Sequence, residues 1–130
     1  MSGHNIRIVQ RHIAAYNSRD LDALRDLSPP ELELDWSASR GLEARVYRGL
    51  EETLGFFRDF LDTFETVHLR PTSFIGAGDA VVVPNIAYVT GRDGIETIAR
   101  STLIFEVRHA RVARICLYQK TDEALEAAGL

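Results

Sequence analysis

The sequence predicts an α+β domain in which a cone-shaped, curled antiparallel sheet wraps around one long apolar helix, with shorter helices ahead of it. Two observations carry this reading. The hydrophobic period is mainly helical up to about residue 66 and then switches to two. Three turn signals, Gly76-Ala77-Gly78-Asp79, Gly91-Arg92-Asp93-Gly94 and Arg108-His109-Ala110-Arg111, divide the remainder into hairpin-linked strands. The chain has 130 residues and no Pro/Gly/Ser-rich stretch long enough to be a linker, so it reads as a single domain over residues 1–130. A chain of this size buries about two-thirds of its surface on folding.

Each element has its own signal. Ile6, Val9, Ile13 and Tyr16 fall in one arc with Arg7, Gln10 and Arg11 outside it, which predicts an amphipathic helix over 4–17. Asp20 offers an N-cap oxygen to a second, short helix carrying Leu21, Leu24 and Leu27, and Pro29-Pro30 forbid its continuation. Residues 31–36 alternate strictly, so Leu32, Leu34 and Trp36 share one face of a strand while Glu33 and Asp35 share the other. Residues 37–48 show no period and read as a loop. Leu50, Leu54, Phe57, Leu61 and Phe64 then recur at helical spacing, flanked by Phe56 and Phe60, and this third helix covers a wide apolar surface.

Strands are expected over 67–75, 80–90, 95–107 and 112–120. Pro84 has no N–H to give a ladder and predicts a bulge or an unpaired edge. Thr121 is expected to cap a last short helix, with Asp122 and Glu123 in its first turn and Gly129 at its end.

Composition narrows function by exclusion. Hydrophobic residues make up 45% and charged residues 26%, as in an ordinary globular domain. Fifteen Lys and Arg against nineteen Asp and Glu leave a net charge of −4, which provides no basic footprint for nucleic acid or for a membrane surface. The apolar runs are strand-sized, and Met1-Ser2-Gly3-His4 has neither a basic region nor a long apolar core, so a cytoplasmic protein is expected. Cys116 alone cannot form an internal disulfide, and four scattered histidines supply no zinc spacing, so no metal is expected. Gly76-Ala77-Gly78 reads as a hairpin turn rather than a phosphate loop, no serine sits in a nucleophile elbow, and no cofactor is expected.

The element order resembles the nuclear transport factor 2-like superfamily, and within it the SnoaL-like and ketosteroid-isomerase-like proteins. The resemblance covers nearly the whole chain. It is carried by Ala14-Ala15-Tyr16-Asn17-Ser18-Arg19-Asp20-Leu21-Asp22-Ala23-Leu24, Leu34-Asp35-Trp36, Tyr47-Arg48-Gly49 and Glu123-Ala124-Leu125-Glu126-Ala127-Ala128-Gly129-Leu130. The fold hosts isomerases, cyclases, hydrolases and non-catalytic adaptors, so it implies a cone for a small apolar molecule rather than one reaction.

The resemblance also implies roles for residues. Asp35 stands where the isomerase-like pattern has its general base, and an aspartate in an apolar cavity has its pKa raised towards the range useful for proton transfer. The plainer alternative is a strand-end aspartate bonded to loop N–H groups or to Arg40, Arg45 or Arg48. His12 takes the place of a tyrosine that donates to the oxyanion; the alternative is a half-exposed histidine with a backbone or water partner. Ser101 takes the place of a second, acidic donor, and a serine is a weaker electrophile than a protonated acid. Tyr16, Trp36, Phe57, Phe60, Leu103 and Gln119 are expected to line the ligand site, with Asn85 and Tyr88 as further polar candidates.

Two functions remain open at this level. One is a cofactor-independent isomerase, cyclase or lyase working by acid–base catalysis, and the other is a non-catalytic ligand-binding or dimerisation module. Relatives commonly pair sheet to sheet. A homodimer is expected through Ile98, Thr102, Ile104, Val112, Cys116 and Tyr118, a half-apolar face that no helix of this short chain remains to cover.

Overall fold

The structure is a computed structural model and describes residues 2–41 and 43–130. Among these residues the order is α1 (Ser2–Asn17), α2 (Leu21–Asp26), β1 (Glu33–Asp35), β2 (Val46–Arg48), α3 (Leu50–Thr63), β3 (Thr66–Pro71), β4 (Ile75–Ala77), β5 (Ala80–Thr90), β6 (Glu96–Arg108), β7 (Arg111–Tyr118) and α4 (Thr121–Ala127). The strands form one curled sheet in the order β2-β1-β7-β6-β5-β3, with β4 also paired to β5. Every pairing is antiparallel except β1 with β7. The fold is the expected α+β cone.

Polar side chains fasten the helices where the sequence places them. Asp20 Oδ1 accepts from Ala23 N at 3.0 Å and starts α2. Arg19 turns the chain at φ 58° and donates to the carbonyl of Leu61 at 2.7 Å, which the end of α3 leaves without a helical partner, and to that of Glu65 just beyond the helix at 3.2 Å. The Asn17 amide both donates to Leu69 O at 2.9 Å and accepts from Leu69 N at 2.8 Å, as a neighbouring strand would, so the end of α1 covers the outer edge of β3.

The main core lies on the concave face. Val9 and Ile13 of α1 and Leu54, Phe57 and Leu61 of α3 pack there against Val81, Val83, Leu103, Phe105, Ile115 and Leu117. Burying a phenylalanine such as Phe57 stabilises the fold by about 2–3 kcal/mol relative to its exposed state, so the wide apolar stripe of α3 is a principal anchor.

The structure corrects several expectations. Residues 37–48 include β2, whose three residues are too few to show a period. The expected strand over 67–75 divides into β3 and β4, both paired with β5. Pro84 lies opposite that interruption, and its carbonyl accepts from Thr72 N at 2.9 Å and Thr72 Oγ1 at 3.2 Å. In an antiparallel ladder a residue's N and O face the same neighbour, so the missing proline donor falls where the edge is broken.

Lys120, rather than Thr121, precedes the first turn of α4 as its cap residue, and Thr121 Oγ1 instead bonds Thr102 Oγ1 at 2.7 Å. Helix α4 covers part of the convex face, where Ala124 packs with Val82 and Ile104 beside Tyr118 and Leu125. The premise that no helix covers that face is therefore wrong. Val112 is wrong as a convex-face residue too. The register passes from Glu106↔Arg114 to Val107↔Val112, so Ala113 is the extra residue of a bulge and Val112 turns into the main core.

Candidate functional site

Between the concave sheet and helices α1 and α3 lies a cavity of about 610 Å³, a size suited to a small organic molecule. Helix α3 contributes Phe56, Phe57, Phe60 and Phe64; α1 contributes His12 and Tyr16; Leu34 and Trp36 come from β1 and the residue after it. Opposite them the sheet presents Asn85, Ala87, Ala99, Ser101, Leu103, Phe105, Ile115 and Leu117. Arg40, Glu43, Arg100 and Gln119 also border the space. The aromatic rings support one another: Tyr16 stands edge-on to Phe57 with centroids 5.3 Å apart, and Tyr47 stacks on Phe56 at 4.4 Å.

Of the expected site residues, His12, Ser101, Tyr16, Trp36, Phe57, Phe60, Leu103 and Gln119 border this cavity. Asp35 does not. The parallel register sets Leu34 opposite Ile115, which lines the cavity, and Asp35 opposite Cys116, so the carboxylate points to the convex side. There Asp35 Oδ1 accepts from Ser37 N at 3.1 Å and Ser37 Oγ at 2.5 Å, and Oδ2 accepts from Arg114 Nη2 at 3.3 Å. Burial by itself pushes the Asp35 carboxyl up, but the Ser37 bonds and the Arg114 charge outweigh it and hold the group below its ordinary value. The partner is Arg114, not Arg40, Arg45 or Arg48. A base inside the cone at Asp35 is thus contradicted by the geometry.

His12 is only 2% exposed. Its Nε2 lies 3.4 Å from Ser28 Oγ, and its ring meets Phe105 edge-on. Burial pushes its pKa down to about 4, so the imidazole is neutral at pH 7. Burial pushes the Tyr16 phenol up, against the opposing charge of Arg19, and that group too is neutral. Gln119 Nε2 donates to Ala38 O at 2.7 Å and ties the 37–45 segment to the end of β7. Tyr88 pairs with Ile98 and does not border the cavity.

One feature of the site has no signal in the residues, and another is only partly visible there. Arg114 carried no signal because its contacts with Glu33 and Asp35 cross about eighty positions. Asn85 was one polar candidate among several, and its burial depends on the pairing Asn85↔Ser101. Among the described residues no three His, Cys, Asp or Glu side chains group closely enough to hold a metal ion, and no helix is long and apolar enough to cross a membrane.

The family model for the SnoaL-like domain matches residues 9–115. No curated protein matches the chain by sequence. Among solved structures, a nuclear transport factor 2-like protein of unknown function from Burkholderia pseudomallei K96243 is similar at 19% identity and TM-score 0.78, with 98% of each chain covered. A putative SnoaL-like polyketide cyclase from Jannaschia sp. CCS1 is similar at 14% identity and TM-score 0.77, covering 98% of this chain and 92% of that one. A ketosteroid-isomerase-like protein from Catenulispora acidiphila DSM 44928, in complex with trimethylamine, is similar at 19% identity and TM-score 0.75, covering 95% and 92%. At these identities the likeness shows the fold.

The buried imidazole makes stability depend on pH. The folded state holds His12 neutral down to about pH 4, whereas an unfolded histidine takes up its proton near 6.5. Its contribution is complete above pH 6.5 and is lost as pH falls towards 4, by about 2 kcal/mol at pH 5. His12→Gln should therefore narrow the difference between urea melts at pH 8 and pH 5 by about that amount. An unchanged difference would contradict the burial of the neutral ring.

Proposed function

The chain belongs to the SnoaL-like domain family, and on that premise we propose that it binds a small, largely apolar molecule in the cone. The observation that carries this reading is the cavity of about 610 Å³, walled by four phenylalanines of α3 and the apolar face of the sheet. Its interior polar groups are neutral ones, from His12, Tyr16, Asn85 and Ser101, and the carboxylate expected to act as a base is held outside by Arg114. Such a surface favours binding by shape and burial, with a few hydrogen bonds setting orientation. The trimethylamine complex of the Catenulispora protein supports small-molecule binding by a protein of this fold.

A second reading is acid–base catalysis without a cofactor, as an isomerase or cyclase. It draws support from the relative called a putative polyketide cyclase and from His12, whose neutral ring borders the cavity and can donate a hydrogen bond to a developing oxyanion. Native mass spectra of the purified protein, which detect a captured compound, begin to separate the two readings. Chromatography and NMR of the released compound after incubation complete the test, because binding alone returns it unchanged whereas isomerisation or ring closure returns a different isomer of the same mass.

Ala99 gives a direct test of the cavity because it is exposed and borders the space. Ala99→Trp should block the site, lowering affinity for the fluorescent probe N-phenylnaphthylamine by at least about tenfold while the urea midpoint stays in place. Undiminished probe binding would contradict the reading.

We also infer a homodimer through the part of the convex face that α4 leaves open. Ile98 there is 54% exposed, and an apolar side chain on an open sheet face is a group that a second copy of the chain would cover. Light scattering at micromolar concentration should return twice the chain mass, and a monomer would refute the pairing.

A further inference from the structure

Asn85 is 4% exposed, and its Oδ1 is buried without any hydrogen-bond donor. Its place in β5 explains why. On the concave face it is flanked along its own strand by Val83 and Ala87, and across β6 the matching positions are Leu103, Ser101 and Ala99. Ser101, directly opposite, is the one hydrogen-bonding side chain in that set, and both residues border the cavity.

Burying an amide with an unmet acceptor destabilises the folded state, and a leucine of similar volume would remove that cost. The fold gives no compensation at this position: the Asn85 side chain starts no helix and bridges no strand. Thr53, whose Oγ1 is likewise buried without a partner, differs on both counts. It does not border the cavity, and a helical threonine can meet its need by turning its hydroxyl onto the carbonyl one turn back.

We propose that Asn85, together with Ser101, is a specificity-determining pair that reads a hydroxyl group on the ligand. The inference rests on the cavity being a ligand site, as argued above, and names the chemical class that site takes: an apolar ring compound bearing a phenol, enol or alcohol. A hydroxyl both donates and accepts. It can give its proton to the amide oxygen while accepting from the Ser101 hydroxyl, and the amide can exchange its two ends by rotating about its last bond. A ketone or a hydrocarbon of the same shape would leave an acceptor unmet.

The test uses two probes of matched shape, 2-naphthol and 2-methylnaphthalene, titrated by fluorescence against the full chain and against Asn85→Leu. The native protein should prefer the naphthol by at least about tenfold, and Asn85→Leu should reduce that preference to within about threefold. The same variant should raise the urea midpoint, since it removes a buried acceptor without a donor; an amide retained for packing would lower it. Equal binding of the two probes by the native protein would overturn the proposal while leaving the cavity reading standing, as would a preference that survives in Asn85→Leu. Failure of both probes to bind would remove the cavity reading and this inference with it. Ser101→Ala is the second variant, with the same loss of preference expected and, from a half-buried position, little effect on folding.

Discussion

Arg114 gathers three carboxylates on the convex side of the sheet: Glu33 at 3.0 Å, Asp35 at 3.3 Å and Glu106 at 3.2 Å. The three acids come from β1 and β6, the neighbours of β7 on either side, so one guanidinium pins the centre of the sheet where the short parallel strand joins it. The fork geometry of arginine suits this task, and the half-buried setting makes each bond worth more than a surface pair. Pinning β1 in this register also settles which of its side chains enter the cone. Leu34 and Trp36 face the helices, and the β1 carboxylates of Glu33 and Asp35 are left on the other side.

That division shapes the cavity. Its inner wall is made of aromatic and aliphatic groups, and the polar atoms among them belong to side chains uncharged at neutral pH. The charged residues that border the space are the exposed Arg40 and Arg100 and the half-buried Glu43, outside that inner wall. An apolar interior of this kind gives affinity through buried area and leaves selectivity to a few hydrogen bonds. The proposed role of Asn85 follows from this setting, because in a low-polarity cavity one unpaired acceptor discriminates strongly between ligands that can and cannot donate.

Much of the fold was legible in the residues. The wide stripe from Leu50 to Phe64 marked the helix that fills the cone, the two-residue period marked β5 to β7, and Asp20 marked the start of α2. The alternation of residues 31–36 had already put Asp35 on the face opposite Leu34 and Trp36. Reading Asp35 as a cavity base followed the family pattern against that alternation, and the alternation prevailed. What remained hidden depends on pairing between distant segments. Ala113 gives no local sign of the bulge that turns Val112 inward, and the short sequence of α4 does not say which face of the sheet it will cover. The partners of Arg114 and the isolation of Asn85 follow from strand register, which no local pattern specifies.

The central claim is that the sheet holds the Asp35 carboxylate outside the cone and leaves a largely apolar cavity within. Carboxyl ¹³C NMR titration of Asp35 tests it most directly. The account predicts a pKa below the ordinary aspartate value, and a titration curve that does not move when a ligand fills the cavity. A pKa raised above that value, or one that shifts on ligand binding, would place the carboxylate in contact with the cone and contradict the account.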